Sequence, residues 1–108
     1  MTEIEIANII KTEISEDQFD NWHGISKDNL AEFLITPTRK QYFDSWTDKL
    51  VTKWLVLDES PNEKDGYQIV FDEETKLFGL ATKSSKHSDT IGTHIGDYGS
   101  FIDTLNGM

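Results

Sequence analysis

The sequence predicts an α+β domain, with helices first, then an antiparallel β-sheet of about four strands, then a short C-terminal helix. Near the amino terminus, isoleucines recur at helical spacing, at Ile6, Ile9, Ile10 and Ile14. A β-branched apolar run over 50–57 and a hairpin pattern over 67–82 predict strands in the second half. The 108 residues suit a single domain spanning 1–108, because no internal repeat or long linker divides them.

Two further helices are predicted before the sheet. Ser15 is an N-cap candidate in front of acidic residues, and it predicts a short second helix that ends near Gly24. Ser26 is the N-cap candidate of a third helix, and Pro37 is expected to stop it because the residue before a proline disfavours helical geometry. The apolar stripe of this third helix is Leu30, Phe33 and Leu34.

The segment from 39 to 48 is ambiguous. Its aromatic residues stand at spacings of three and four and favour one or two further helical turns. These residues are Tyr42, Phe43 and Trp46.

The second half is predicted to be a sheet followed by a helix. Strand 50–57 leads into an exposed loop at 58–66, and a polar turn at 72–76 closes a hairpin. A last strand begins near Ile91, with glycines that let another element pack closely or mark a bulge. Ser100 and Asp103 resemble a capping box and predict a closing helix that ends at Gly107. Its inward residues are Phe101, Ile102 and Leu105.

The charge balance limits the classes of partner. Net charge is −10, from 20 acidic and 10 basic residues, and the excess is spread over both halves of the chain. Phosphate backbones and anionic membranes repel such a surface, so neither nucleic acid nor a membrane is an expected partner. A basic protein would be attracted at long range. The alternative is that the acidity only keeps the protein in solution.

Three acidic runs are the candidate partner-binding residues: the 58–66 loop, the hairpin tip and the end of the first helix. They contain Asp58, Glu59, Glu63, Asp65, Asp72, Glu73, Glu74, Glu16, Asp17 and Asp20. If the sheet is a meander, the loop and the hairpin tip lie at its opposite ends, as two acidic rims. An ordinary solvated loop is the alternative for each run. Affinity would need buried anchors, for which the candidates are Trp22, Trp46 and Tyr98, unless these are core residues.

Motifs for catalysis, cofactors or metals do not stand out. The chain has no cysteine, no serine lies in Gly-x-Ser-x-Gly, and the glycine spacing fits no phosphate loop. The candidates for a metal-dependent or small-ligand enzyme, which is the third alternative, are His87, Asp89, His94 and Asp97. His94 and Asp97 occupy even and odd positions of the proposed strand, so they are expected to point to opposite faces. No catalytic residue, cofactor or metal is therefore predicted.

The predicted compartment is the cytoplasm. The absence of cysteine fits a reducing environment. The amino terminus lacks the basic region and apolar run of a signal peptide, and no apolar stretch approaches the length that spans a bilayer.

Three segments of the second half carry a family resemblance. They read Gly-Tyr-Gln-Ile-Val-Phe-Asp-Glu-Glu over 66–74, Phe-Gly-Leu-Ala over 78–81 and Gly-Asp-Tyr-Gly-Ser-Phe-Ile-Asp-Thr-Leu over 96–105, with a terminal Met108. Together they resemble bacterial contact-dependent growth inhibition immunity proteins over about residues 54–108. The segments are strand, turn and helix-start residues, so the resemblance concerns the fold more than a binding site.

The resemblance implies a non-catalytic cytoplasmic antidote. It would bind and neutralise a cognate toxin domain, the carboxyl-terminal part of a large surface-displayed exoprotein, as a monomer in a 1:1 complex. Such toxins are often nucleases, which must present cations to phosphates, so an acidic protein can compete for that surface. The alternative is an acidic adaptor or nucleic-acid mimic that inhibits a DNA-binding protein. The position of the partner's gene separates these two hypotheses. The immunity protein predicts a partner encoded immediately upstream, and the adaptor or mimic predicts a partner encoded elsewhere.

Overall fold

The computed structural model describes residues 2–16, 29–60, 63 and 66–107, apart from the side chains of residues 15 and 16. In chain order, its elements are helix α1 (Glu3–Glu16), helix α2 (Leu30–Phe33), strand β1 (Leu34–Asp44), strand β2 (Leu50–Asp58), strand β3 (Tyr67–Phe71), strand β4 (Phe78–Thr82), strand β5 (Gly92–Gly99) and helix α3 (Phe101–Asn106).

The described strands form a closed barrel in the order β1-β2-β3-β4-β5. Consecutive strands pair antiparallel, and a parallel pairing between β1 and β5 closes the barrel, from Tyr42 opposite Gly92 to Asp44 opposite His94. The α+β class is confirmed. The sheet differs from the expected antiparallel sheet of about four strands, because the segment before residue 50 contributes a fifth strand, β1, that pairs with both β2 and β5 and closes the barrel.

Strand β1 replaces the helical turns expected between 39 and 48. Seven residues of β1 pair with β2, so sheet hydrogen bonds outweigh the local aromatic spacing. The third helix is also much shorter than expected, because α2 spans four residues and the chain turns into β1 at Leu34. Pro37 therefore interrupts a strand and not a helix. It lies where the register shifts between Leu34 and Thr38, and a proline is tolerated at such an irregularity because it cannot donate to the ladder.

The expected strand, hairpin and closing helix of the second half are confirmed. Asp72 shapes the hairpin turn, because its Oδ1 accepts hydrogen bonds from the backbone N–H groups of Glu74 (2.8 Å) and Thr75 (3.3 Å). At α3, the Ser100 hydroxyl accepts the N–H of Asp103 at 3.1 Å, as an N-cap does. The expected N-cap at Ser15 is wrong, because α1 continues through this residue to Glu16. The rest of the second helix and the Ser26 cap fall on residues 17–28, which lie outside the described residues.

The larger core lies between the helices and one face of the sheet. Ile6 and Ile10 of α1 are buried there. The ring of Phe78 lies 4.7 Å from that of Phe71 and 5.7 Å from that of Phe101, which packs α3 onto β3 and β4. A carboxylate of α1 also ties the two helices together, because Glu13 accepts the first backbone N–H groups of α3 at 3.2–3.3 Å. Helices α1 and α3 therefore pack with the sheet around this larger core.

A smaller cluster of Tyr42, Val70 and Ala81 occupies the other face. Alternation along β3 places Val70 and Gln68 on this face and Ile69 on the face with the larger core. Both faces of the sheet are therefore buried around β3. The buried polar groups of this region must therefore form hydrogen bonds within the protein, and these hydrogen bonds extend to the acidic loop after β2.

Candidate protein-binding surface

The acidic loop after β2 is braced by a lysine that sequence reasoning missed. Asp58 is buried, and Lys83 Nζ lies 2.8 Å from its Oδ1. Lys83 also donates to the backbone oxygens of Ser60 and Glu63, the latter at 2.9 Å. A charge-assisted cluster of this kind holds the loop against the segment after β4. Asp58 is consequently a structural brace.

A polar chain connects this brace to the smaller core. The fully buried Tyr42 hydroxyl donates to Gln68 Oε1 at 2.8 Å, and Gln68 Nε2 donates to Asp58 Oδ2 at 3.2 Å. Burial raises the pKa of Tyr42, and the Asp58 carboxylate raises it further, so its hydroxyl stays protonated. These hydrogen bonds connect the acidic loop after β2 to the buried side chains of the barrel.

The hairpin tip is braced in the same way by Lys53. Its ammonium donates to Asp72 Oδ2, and both side chains are largely buried. Burial raises the pKa of Asp72, but hydrogen bonds from Lys53 and from two backbone N–H groups lower it more, so the net pKa is below its ordinary value. The signal available in the sequence was a lysine inside the apolar run of β2. It is explained by the carboxylate that the hairpin brings beside it.

A groove of about 360 Å³ lies between β1, β2 and the hairpin tip. The Arg39 guanidinium stands 4.9 Å from the ring centroid of Trp54 and 3.7 Å from a Glu73 oxygen. Lys53 and Asp72 pair across the same groove. The two cations of the lining are each beside an acid, and Glu74 is the third acid, so the groove offers no concentrated charge of one sign to a small ligand.

The predicted site residues therefore divide into braces and surface acids. Asp58 and Asp72 are braces, Glu59 and Glu73 are half-buried, and Glu63 and Glu74 are exposed. The loop and the hairpin tip do lie at opposite ends of β3, as expected for two rims. The remaining candidates are Asp17, Asp20 and Asp65, which lie outside the described residues, and Glu16, whose side chain is not described.

The most exposed large hydrophobic residue described is Trp46, which is 88 % exposed. It lies in the connection between β1 and β2, residues 45–49, which we call the Trp46 turn. Tyr98 is 46 % exposed, so the alternative that these two residues belong to the core is wrong. Trp22 lies outside the described part of the chain.

Two histidines hold the Trp46 turn and the end of β1 against β5 and the loop before it. His87 Nε2 lies 2.9 Å from both oxygens of Asp48, and the buried His94 lies between Asp44 (3.6 Å) and Asp97 (3.1 Å). The expectation that His94 and Asp97 point to opposite faces is wrong. Against β4, the register of β5 skips Ile95, so one extra residue restores both side chains to one face.

These histidines act as tethers in the structure. Asp44 and Asp97 approach different ring nitrogens of His94, which separates the two carboxylates across the ring. Within the ranges that the structure describes, no three histidine, aspartate or glutamate residues are grouped as a metal site. His87 and Asp89, which were candidates with His94, belong to the exposed loop before β5.

Comparisons with protein-family models, with curated proteins and with solved structures found no match. The helices within the described ranges are too short or too polar to cross a membrane.

Proposed function

We propose that this chain is a non-catalytic immunity protein that binds a basic toxin domain in a 1:1 complex and neutralises it by occlusion. The toxin class that suits it best is a nuclease, and the compartment is the cytoplasm of the cell that is protected. The observation that carries the proposal is the distribution of charge over the folded chain.

The internal ion pairs leave the excess negative charge to the rest of the protein. Lys53 and Lys83 are largely buried against Asp72 and Asp58, so each pair is neutral as a unit. The net charge of −10 is therefore carried wholly by the remaining side chains. Exposed acids such as Glu63 and Glu74 stand on the loop and the hairpin tip that Lys83 and Lys53 brace. An acidic surface is the complement of a cationic one.

Occlusion needs no chemistry from the chain itself. A nuclease active site is bordered by cations that neutralise substrate phosphates. A negatively charged protein is drawn to the same cations and, once docked, excludes the substrate. Long-range attraction mainly raises the association rate, and this rate falls as salt screens the charges.

The test is complex formation with the toxin domain encoded immediately upstream. We expect a 1:1 complex by light scattering, protection of cells that express the toxin, and an association rate that falls at least tenfold between about 50 and 500 mM salt. The variant Glu63→Gln/Glu74→Gln should associate more slowly than wild type with little change in dissociation.

The matched control is Glu3→Gln/Glu5→Gln, which removes the same charge from exposed positions of α1. Absence of a complex, or an association rate that ignores salt, would exclude the proposal. Binding to a DNA-binding protein encoded elsewhere, in place of the toxin domain, would favour the nucleic-acid mimic.

A further inference from the structure

The Trp46 turn is an apolar tip on an otherwise acidic protein. Trp46 is 88 % exposed and Leu50, just beyond the turn, is 48 % exposed. Phe43 lies opposite Leu50 in the β1–β2 register, so the apolar surface continues onto the strands. A solvent-exposed indole contributes little to folding, whereas the same ring buried in a partner is among the largest single sources of binding energy.

Hydrogen bonds on both sides of Trp46 hold its backbone in place. Thr47 donates to Asp44 Oδ2 from its backbone N–H (3.1 Å) and from its hydroxyl (2.9 Å). Ser45 donates to β5, from its N–H to the His94 carbonyl (3.1 Å) and from its hydroxyl to the Ile95 carbonyl (3.1 Å). The turn is thus fixed before any partner arrives, which reduces the entropy lost on binding.

A second set of contacts braces the far side of the turn. Asp48 has a positive φ of 58° and is held by His87 at 2.9 Å and by Lys86 at 3.5 Å. The His87 ring also lies 4.7 Å from that of Phe43. A non-glycine residue with positive φ costs conformational energy that the surrounding contacts must offset. Many contacts therefore stabilise a turn whose central side chain, Trp46, remains exposed.

The charges around the turn identify the kind of partner. The acids that the described contacts place around the turn are Asp44, Asp48 and Asp97, and the lysines are Lys49 and Lys86, so the acids outnumber the lysines by one. An apolar centre with an acidic border complements a basic protein surface that contains an apolar pocket. A second copy of this chain or an anionic bilayer would meet like charge.

We infer that the Trp46 turn is the affinity anchor of the complex, inserting the indole into an apolar pocket of the basic toxin domain. The inference rests on the proposed function and adds to it a division of roles. The acidic rims set the association rate, and Trp46 sets the dissociation rate.

The test measures the kinetics of the full chain with the upstream toxin domain. For Trp46→Ala, we expect dissociation to be at least about 30-fold faster, as for a central anchor, and association to change less than threefold. The matched control is Ile4→Ala, which truncates a residue that is 68 % exposed on α1 and should change both rates less than twofold. Both variants should unfold at the wild-type urea concentration, which shows that they fold.

A direct readout follows the indole itself. In a chain labelled with 5-fluorotryptophan, the ¹⁹F resonance that is missing from Trp46→Phe should shift on addition of unlabelled toxin domain. Wild-type binding with unchanged dissociation of Trp46→Ala would overturn the anchor and leave the proposed function standing. Equal losses in Trp46→Ala and Ile4→Ala would also overturn it. Failure of the wild-type chain to bind the toxin domain would overturn both proposals.

Discussion

The contacts of Lys83 allow a quantitative prediction about the acidic loop. In Lys83→Met the side chain keeps its length but loses the ammonium, which removes the 2.8 Å contact to Asp58 and the donations to Ser60 and Glu63. The Asp58 carboxylate would then be left without its cation although its side chain is only 11 % exposed.

Breaking a buried ion pair by removing one partner costs about 3–5 kcal/mol, and the partial exposure of this pair reduces the expected cost to about 2–4 kcal/mol. With a urea m-value of about 1.5 kcal/mol/M, the unfolding midpoint should fall by about 1.3–2.7 M. Circular dichroism in urea measures this midpoint directly.

A neighbouring lysine supplies the matched control. Lys86 is 73 % exposed and contacts Asp48 at 3.5 Å, so Lys86→Met should cost less than about 0.5 kcal/mol. In the double variant Lys83→Met/Asp58→Asn, the unpaired charge is gone, and the loss should be smaller than the sum of the single losses. Equal effects of the two lysine variants, or strict additivity in the double variant, would refute the idea that Lys83 compensates a buried charge.

Three further predictions concern the barrel. Tyr42→Phe removes the donor to Gln68 and should cost about 1–3 kcal/mol in urea unfolding. In Gly92→Ala, the added Cβ would lie 1.7 Å from the Thr82 carbonyl oxygen, so a loss of about 1–3 kcal/mol or more is expected in the same assay. Burial raises the pKa of Asp44, but hydrogen bonds from Thr47 and contact with His94 bring it below the ordinary value. The ionised Asp44 carboxylate therefore stabilises the fold fully above the unfolded-state pKa of about 3.9, and this stabilisation is lost as the pH falls through the lower folded-state pKa. Asp44→Asn has no carboxylate to protonate at this position. Between pH 5 and pH 3 its urea midpoint should therefore fall less than that of wild type.

Each of these predictions has an internal comparison. Gly96→Ala is the control for Gly92→Ala, because an added Cβ at Gly96 meets no atom within 4 Å. A destabilisation equal to that of Gly92→Ala would show that backbone freedom, and not close approach, decides both positions. A cycle of Tyr42→Phe with Gln68→Leu should be non-additive, and additivity would argue against the hydrogen bond. Parallel acid profiles for wild type and Asp44→Asn would contradict the lowered pKa.

The second half of the fold was predictable because its signals are local. Alternating residues, a polar turn and the Ser100 cap each act within a few positions, and the structure has the hairpin and α3 where these patterns place them. In the first half, α1 lies where the isoleucine spacing places it, but the prediction for residues 39–48 failed for the opposite reason. Tyr42, Phe43 and Trp46 stand at helical spacing, but hydrogen bonds to β2 and β5 decide the conformation of β1, and those partners are distant in sequence.

Composition alone established that the chain is acidic. The spacing of its apolar residues established that the domain is α+β in class. Only the tertiary structure decided which acids are braces and which are surface, since Lys53 and Lys83 reach their carboxylates across 19 and 25 positions of the chain. It also decided that Trp46 stands in solvent and that His94 and Asp97 share a face, because one skipped residue in the β5 register reverses the alternation. Charge is a sum over residues and can be read from the sequence, whereas pairing and exposure depend on which distant segments the folded chain brings together.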